Sequence, residues 1–471
     1  MSDQKTIIAA TNGPIVGVDD TGVVLHLSDR VLRDIVRRLP ELGMSPEAAG
    51  KTAPTSQGDT AWIEDDIDWW NARKEGDWTQ FDARLPGTGD SRRYLRHVSG
   101  PGIMADTPGA LQVLASLGGS RRYTQQSAQP DFPYHVIACP PPEPGETPLF
   151  ANLTHRGIDS AICDILLHQR LAAFQRLPSF AIQPCLLPPT GLPDQTDLAE
   201  FRQGIQRLTA LAAAMDKPVQ MAAIVLELGP QHLDPSLDPD ILHRASLKFL
   251  DKIATEIRAA GLGETPILLT ADAGAWWNCD VLAARKAAEA LQRLVLCPGT
   301  HRIIPVGSTT GLMQDDLGMP ANETIACQAA LEARVIDTVL RGHICDAPVL
   351  YLAEYIGPNR IRATFKTRGG LGIDGIRHEQ TGPGAGLSAT LTDTGADWPI
   401  NTVERDPQDR GALIVTLQSD PPPGHELRLD HALPRQAGEN VGFPATAIFD
   451  AAEDESATLQ FWAMPASMVV R

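Results

Sequence analysis

The sequence predicts an α/β protein with a doubly wound parallel sheet in its middle, an antiparallel β-sandwich behind it and a separate region in front. Three observations predict this. The middle of the chain holds apolar runs without alternation, the pattern of strands buried on both faces. Stretches with helical apolar spacing lie between them. After about residue 346 the pattern changes to short alternating strands separated by Gly- and Pro-rich turns such as "DPPPG". The expected divisions are 1–105, 106–346 and 347–471.

Residues 1–105 hold Trp62, Trp69, Trp70 and Trp78, four of the eight tryptophans. "SDRVLRDIVRRLPELG" (28–43) reads as a helix, with Ser28 as N-cap and Gly43 as its stop. The "GKT" inside the loop 48–60 lacks the glycine spacing and the preceding strand of a phosphate-binding loop. This region is the candidate for docking to a larger assembly.

In the middle region, "ALQVLAS" (110–116), "SFAIQ" (179–183), "MAAIVLEL" (221–228), "PILLTA" (266–271) and "RIIPV" (302–306) read as five buried strands. Helices are expected over 198–215, 241–261 and 324–342. The first carries Leu198, Phe201, Ile205, Leu208 and Leu211 as one apolar stripe. The other two end on glycine. Strands joined by helical crossovers imply a parallel sheet with helices on both faces. Beyond 346, "VLYLAEYIGPNRIRATFKT", "LSATLTD", "ALIVTLQSD" and "HELRLDHAL" are the sandwich strands.

Composition narrows the function. A net charge of −18 argues against a nucleic-acid partner, which calls for a basic surface. No apolar run approaches the roughly 20 residues that span a bilayer, so no membrane insertion is expected. The start has no basic segment followed by a long apolar one, so synthesis in the cytoplasm without a signal peptide is expected. The seven cysteines all lie between 139 and 345 and form no CxxC pair. They are expected as small buried hydrophobes, with no metal and no cofactor.

Sites in a doubly wound sheet form at the C-terminal ends of its strands. The first strand runs into Gly118-Gly119-Ser120, where an exposed serine could act as nucleophile and the glycines could admit a substrate. The second ends in prolines, which have no N–H for an oxyanion. The third ends "LELGPQHLD" (226–234), with Gly229 as a possible amide donor and His232 as a surface-loop histidine or ligand contact. The fourth ends "TADAGAWWN" (270–278), where Trp276 and Trp277 could cover the apolar face of a sugar or fill core. The fifth leads to Asp315 and Asp316, with Gly318 where a hydrolase would place its histidine.

This succession of strand ends resembles the SGNH/GDSL hydrolases, especially the large form in structural proteins of tailed phages and gene transfer agents. The matching stretches are Gly118-Gly119-Ser120, Glu146-Thr147-Pro148, "LGPQ" (228–231), "LLTADAGAWW" and "DDLGMP" (315–320). The resemblance spans roughly 106–471, sandwich included, and leaves 1–105 outside. It implies an SGNH-like five-stranded parallel sheet with Ser120 as nucleophile, Gly229 as oxyanion glycine and Asp315 as the acid that orients the base. Gly318 replaces the catalytic histidine, and Leu228 stands where the family has another. A serine without its base retains only roughly 10³–10⁴-fold catalysis from binding and the oxyanion hole.

The resulting expectation is a pseudo-hydrolase: a spike or fibre component of a phage-like particle that binds host surface polysaccharide. Trp276, Trp277, His232 and Asp316 would contact the glycan. Its other partners would be virion structural proteins, met through the N-terminal region, and it would form a homo-oligomer. One alternative is an active carbohydrate O-acetyl esterase in which His232 or another histidine supplies the base. A second is an assembly protein with no glycan ligand.

Overall fold

The computed structural model describes residues 5–10, 13–19, 22–25, 67, 69–126, 128–141, 149–188, 193–234, 236–271, 280–309, 322–343, 345–433, 435–437, 440–442, 446–451 and 460–471. The expected helix 28–43, Trp62, Glu146-Thr147-Pro148, Trp276, Trp277, Asp315, Asp316 and Gly318 lie outside them. The chain is mixed α/β, with a seven-stranded, mostly parallel sheet and several antiparallel sheets. It divides into two compact units: residues 1–108 with 131–153, and residues 109–130 with 154–471. The α/β part and the sandwich both fall in the second unit.

The first unit opens with three antiparallel strands, β1 (Lys5–Ala10), β2 (Gly13–Asp19) and β3 (Gly22–Leu25). Its second sheet is a meander of β4 (Trp69–Glu75), β5 (Trp78–Ala83), β6 (Arg92–His97) and β7 (Ile103–Ala105). Strand β5 alternates in burial, so one face is packed and the other is wetter. Phe81, Ala83, Tyr94 and Ile103 form the small core, with Trp69 against it. Trp78 stacks on Phe150 at 6.1 Å. The tryptophans of 69–78 thus belong to strands, which the sequence reading did not assign. A short antiparallel ladder, β9 (Val136–Ala138) with β10 (Ala151–Asn152), belongs to the same unit.

In the second unit five parallel strands run side by side in the order β11 (Phe180–Leu186), β8 (Leu111–Gly118), β12 (Val219–Leu228), β13 (Ile267–Ala271), β14 (Ile303–Ser308). Strand β13 is buried along its whole length, as its unalternating sequence implies. The connecting helices are α1 (Ile158–Ala172), α2 (Ala199–Ala214), α3 (Pro239–Ala259), α4 (Val281–Leu296) and α5 (Asn322–Leu340). Helix α1 packs on α5, and α3 on α4. Phe201, Ile205, Leu208 and Leu211 are the buried face of α2, as its stripe predicts. Asp238 caps α3, its carboxylate accepting from the Asp240 amide at 2.8 Å.

The order β11-β8-β12 carries a mechanical consequence. The chain leaves β8 in one direction to form β11, then crosses back to form β12 on the other side. Neighbouring connections therefore diverge between β8 and β12, and a crevice opens beyond their carboxyl ends. Gly118-Gly119-Ser120 and Leu228-Gly229 emerge there.

The sandwich follows. One sheet joins β15 (Val349–Gly357), β16 (Arg360–Lys366), β21 (Ala412–Leu417) and β20 (Ile400–Arg405). The other joins β19 (Asp397–Trp398), β18 (Leu387–Leu391), β22 (Leu427–His431) and β26 (Ala466–Val469). Residues of both sheets, including Ile361, Val415, Leu387 and Leu429, share one buried core. Cys139, Cys163 and Cys185 are buried as expected, but Cys297 and Cys327 are exposed. Cys297 follows the last turn of α4 and Cys327 sits on the outer side of α5, where the apolar spacing that buries a helix residue does not reach them.

Candidate functional site

The crevice between the ends of β8 and β12 is the candidate site. Gly118 and Gly119 are glycine because other side chains occupy the space of a Cβ. A Cβ at 118 would lie 3.1 Å from the Arg122 side chain and 3.2 Å from that of Glu227. A Cβ at 119 would lie 3.2 Å from His232 Nε2 and 3.3 Å from Gln231 Nε2. The glycine pair therefore serves close internal packing, and the substrate access expected of it is filled by the protein itself. Ser120 follows on the turn and is exposed. Its carbonyl accepts from the Tyr123 amide at 3.2 Å, and that of Gly119 from the Arg122 amide at 3.1 Å.

His232 is not the surface-loop histidine that its position suggested: it is 5% exposed. The turn after β12 folds it inward. The His232 amide donates to the Gly229 carbonyl at 3.0 Å, and the Gly229 amide donates to His232 Nδ1 at 3.1 Å. Nδ1 is thus an acceptor, which puts the proton of the neutral ring on Nε2. Among the described residues no acceptor reaches buried Nε2. Burial, with the nearby Arg121 guanidinium second, lowers the imidazole pKa to about 4. The ring is neutral at pH 7 and presents an N–H beside Gly119.

This geometry decides two roles that the sequence left open. Gly229 was a candidate oxyanion donor, but its amide hydrogen is taken by His232. His232 was a candidate replacement base, but its basic lone pair points at Gly229. An N–H donates and does not accept, so the ring that meets Gly119 has no lone pair for a serine proton. Moving the proton to Nδ1 would set two donors against each other and leave the buried Gly229 amide unsatisfied, at a cost of about 1–3 kcal/mol.

Beneath the crevice lies a buried ionic cluster. Arg122 is 1% exposed. Its Nη1 reaches Glu227 at 3.2 Å and Glu332 at 3.1 Å, and its Nη2 reaches Asp159 at 2.6 Å and Glu332 at 2.9 Å. Further donors satisfy the acids. Ser116 donates to Asp159 at 2.5 Å, Thr270 to Glu332 at 2.9 Å, and Gln328 to Glu227 at 2.6 Å. Burial would pull the guanidinium pKa down, but Asp159, Glu332 and Glu227 overcome it and hold the value well above normal. The cluster ties the β8 turn, β12, the start of α1 and the middle of α5 together. Nearby, Tyr123 Oη donates to the Cys185 carbonyl at 2.8 Å and accepts from the Cys185 amide at 3.2 Å, which fixes the turn to β11. Sequence reasoning missed Arg122. Its one signal is an arginine pair, Arg121-Arg122, one serine beyond a strand-end glycine pair.

The structure therefore brings Ser120, Gly229 and His232 to one crevice and adds Arg121 and Arg122. Among the described residues, no cluster of three or more His, Cys, Asp or Glu could hold a metal ion. No helix of the described residues is long and apolar enough to cross a membrane.

No protein-family model matches the chain, and no curated protein matches it. Among solved structures, it is similar to a carbohydrate acetylesterase from Xanthomonas citri, with 13% identity, 80% of this chain and 85% of that one covered, and a TM-score of 0.48. A carbohydrate esterase family 2 enzyme with a carbohydrate-binding domain, from Corynascus thermopiles (Myceliophthora fergusii), gives 15% identity, 53% and 77% coverage and a TM-score of 0.30. The N-terminal part of the bacterial S-layer protein SbsC gives 11%, 66%, 54% and 0.19. At these levels of likeness, the functional reading rests on the chain's own residues.

Proposed function

We propose that the protein is a non-catalytic binder of surface polysaccharide, built on a hydrolase-like α/β body and carried as a spike or fibre of a phage-like particle. The observation that supports loss of catalysis is the fixed tautomer of His232. A serine hydroxyl is a poor nucleophile without a neighbouring base. Here the ring beside Gly119 spends its lone pair on the Gly229 amide and keeps its Nε2–H buried against Gly119. The ring therefore acts as a buried donor, and the exposed Ser120 hydroxyl is left to meet a ligand oxygen. With its pKa near 4, the ring keeps this character across the neutral range. The particle setting and the docking role of residues 1–105 rest on the sequence resemblance alone. Several copies on one particle would offset weak single-site affinity.

Calorimetric binding of acetylated host polysaccharide to the wild type, Ser120→Trp and His232→Phe tests the reading. Ser120 is exposed, so a bulky side chain there blocks the crevice without entering the core. The expected result is a loss of about tenfold or more in Ser120→Trp. His232→Phe, with its ring packed under Gly119 and out of the ligand's reach, should change affinity by less than about 3-fold. Unchanged affinity in Ser120→Trp would remove the glycan from this crevice.

A further inference from the structure

A second cleft, of about 990 Å³, lies away from the strand ends, between α5, the segment Cys345–Asp346 and the edge of the sandwich. This is the upper end of the roughly 300–1,000 Å³ typical of ligand clefts. We propose that it binds a carboxylate-bearing polysaccharide, with Arg368 and Arg410 as charge partners and Tyr351 as a platform for a sugar ring.

The two arginines stand on loops that are locked to each other. The Phe365 amide donates to the Gly411 carbonyl and the Leu371 amide to the Arg410 carbonyl, both at 2.8 Å. Gly370 has φ +93°, and a Cβ there would meet Arg410 Cβ at 2.9 Å, so the loops touch backbone to backbone. The acids of the cleft are committed to holding this arrangement. Asp450 Oδ2 accepts from Thr367 Oγ1 at 2.6 Å, the Arg368 amide at 3.1 Å and the Gly369 amide at 3.3 Å. Asp409 accepts from the Gly411 amide at 2.8 Å and from the Arg362 guanidinium at 3.1 Å. Asp346 faces Lys366 at 3.9 Å. Arg368 and Arg410 are exposed; among the described residues neither has a carboxylate within 4 Å, and the Asp346 carboxyl feels the Arg368 charge from further off. Two guanidinium groups on fixed loops are pre-organised for carboxylates, which they bind in a planar, two-pronged fashion.

The rest of the wall argues for a sugar between the charges. Tyr351 is 46% exposed and lines the cleft, and flat aromatic rings cover the apolar faces of pyranoses. Thr338 and Gln460 offer hydroxyl and amide groups. A net charge of −18 repels a polyanion as dense as a nucleic acid. A polymer with one carboxylate per ring and neutral hydroxyls between matches a local basic pair on an acidic protein. The proposal takes from the preceding reading only the class of ligand, a glycan, and none of its residues.

Titration of the full-length protein with polygalacturonate oligomers and with their methyl-esterified form tests it, at low and moderate salt. The acid form should bind about tenfold tighter or better, and more weakly as salt rises. Arg368→Gln with Arg410→Gln should bring the acid form down to the ester's affinity, and Tyr351→Ala should weaken both forms. The double Arg→Lys variant keeps the charges without the two-pronged geometry and should retain part of the acid preference, which separates charge loss from misfolding. Equal binding of acid and ester, no binding, full binding by the double Gln variant, or equal binding of polyglutamate would each overturn the proposal. If acetylated polysaccharide still responds to Ser120→Trp in those cases, the crevice reading stands without it.

Discussion

Gly119 and His232 occupy one volume: the space that a side chain at 119 would need is filled by the imidazole. The residue identities follow from that packing, and so does a pH dependence. Burial lowers His232 to about 4 from 6.5. Burial likewise lowers His431 to about 4; there Nδ1 donates to the Met464 carbonyl at 2.9 Å and Nε2 accepts from Thr446 at 2.8 Å inside the sandwich. A histidine whose folded pKa lies below its unfolded value favours the unfolded chain once protonated. Stability from these rings is complete above about pH 6.5 and falls as the pH drops towards 4, by up to about 3 kcal/mol per ring. Melting temperature followed from pH 7 to pH 4 should therefore decline. His431→Gln should flatten the decline while lowering the neutral-pH value. A profile that is level over this window would contradict the buried neutral state. The sequence showed which strand ends to examine, because Gly-Gly-Ser after an apolar run marks a turn. It did not show that His232 turns inward, because a short loop written Gly-Pro-Gln-His carries no periodicity from which burial can be read.

At the scale of elements the five parallel strands and the helices α2, α3 and α5 were legible within a few residues of their ends. Continuous apolar runs and three- and four-residue spacing are properties of the chain itself. The meander β4–β7 was not, because Arg, Lys, Asp and Gln interrupt its strands and only one face is packed. Helix α2 also shows how closely an element can be specified. Gly204 faces β11, and a Cβ there would come within 2.1 Å of the buried Gln183 side chain. Gly204→Ala gains roughly 1 kcal/mol of helix propensity but must push the buried Gln183 amide aside, for a net cost of up to about 2 kcal/mol. Gly263, with nothing within 4 Å and no left-handed backbone, is the matched control and should accept alanine with little change. Denaturant midpoints of the two variants measure the contrast. Equal midpoints would mean that α2 and β11 are further apart than described.

For the whole molecule, the strand order matters most. It directs connections away from each other between β8 and β12, and so brings the turn of Ser120 and Arg121 beside His232 from a distant part of the chain. That placement could be expected from a parallel sheet. The state of the groups within it could not, because the tautomer of a buried histidine leaves the fold unchanged. Arg122 secures the crevice from below, and breaking such a buried pair by removing one partner typically costs about 3–5 kcal/mol. At its strand ends the molecule thus holds His232 as a buried donor in place of a base. The measurement that tests this most directly is acetate release from acetylated polysaccharide by the wild type and by Ser120→Ala. The account predicts no release above background from either protein, with binding retained. Release by the wild type that disappears in Ser120→Ala would contradict it and show that a base reaches Ser120 after all.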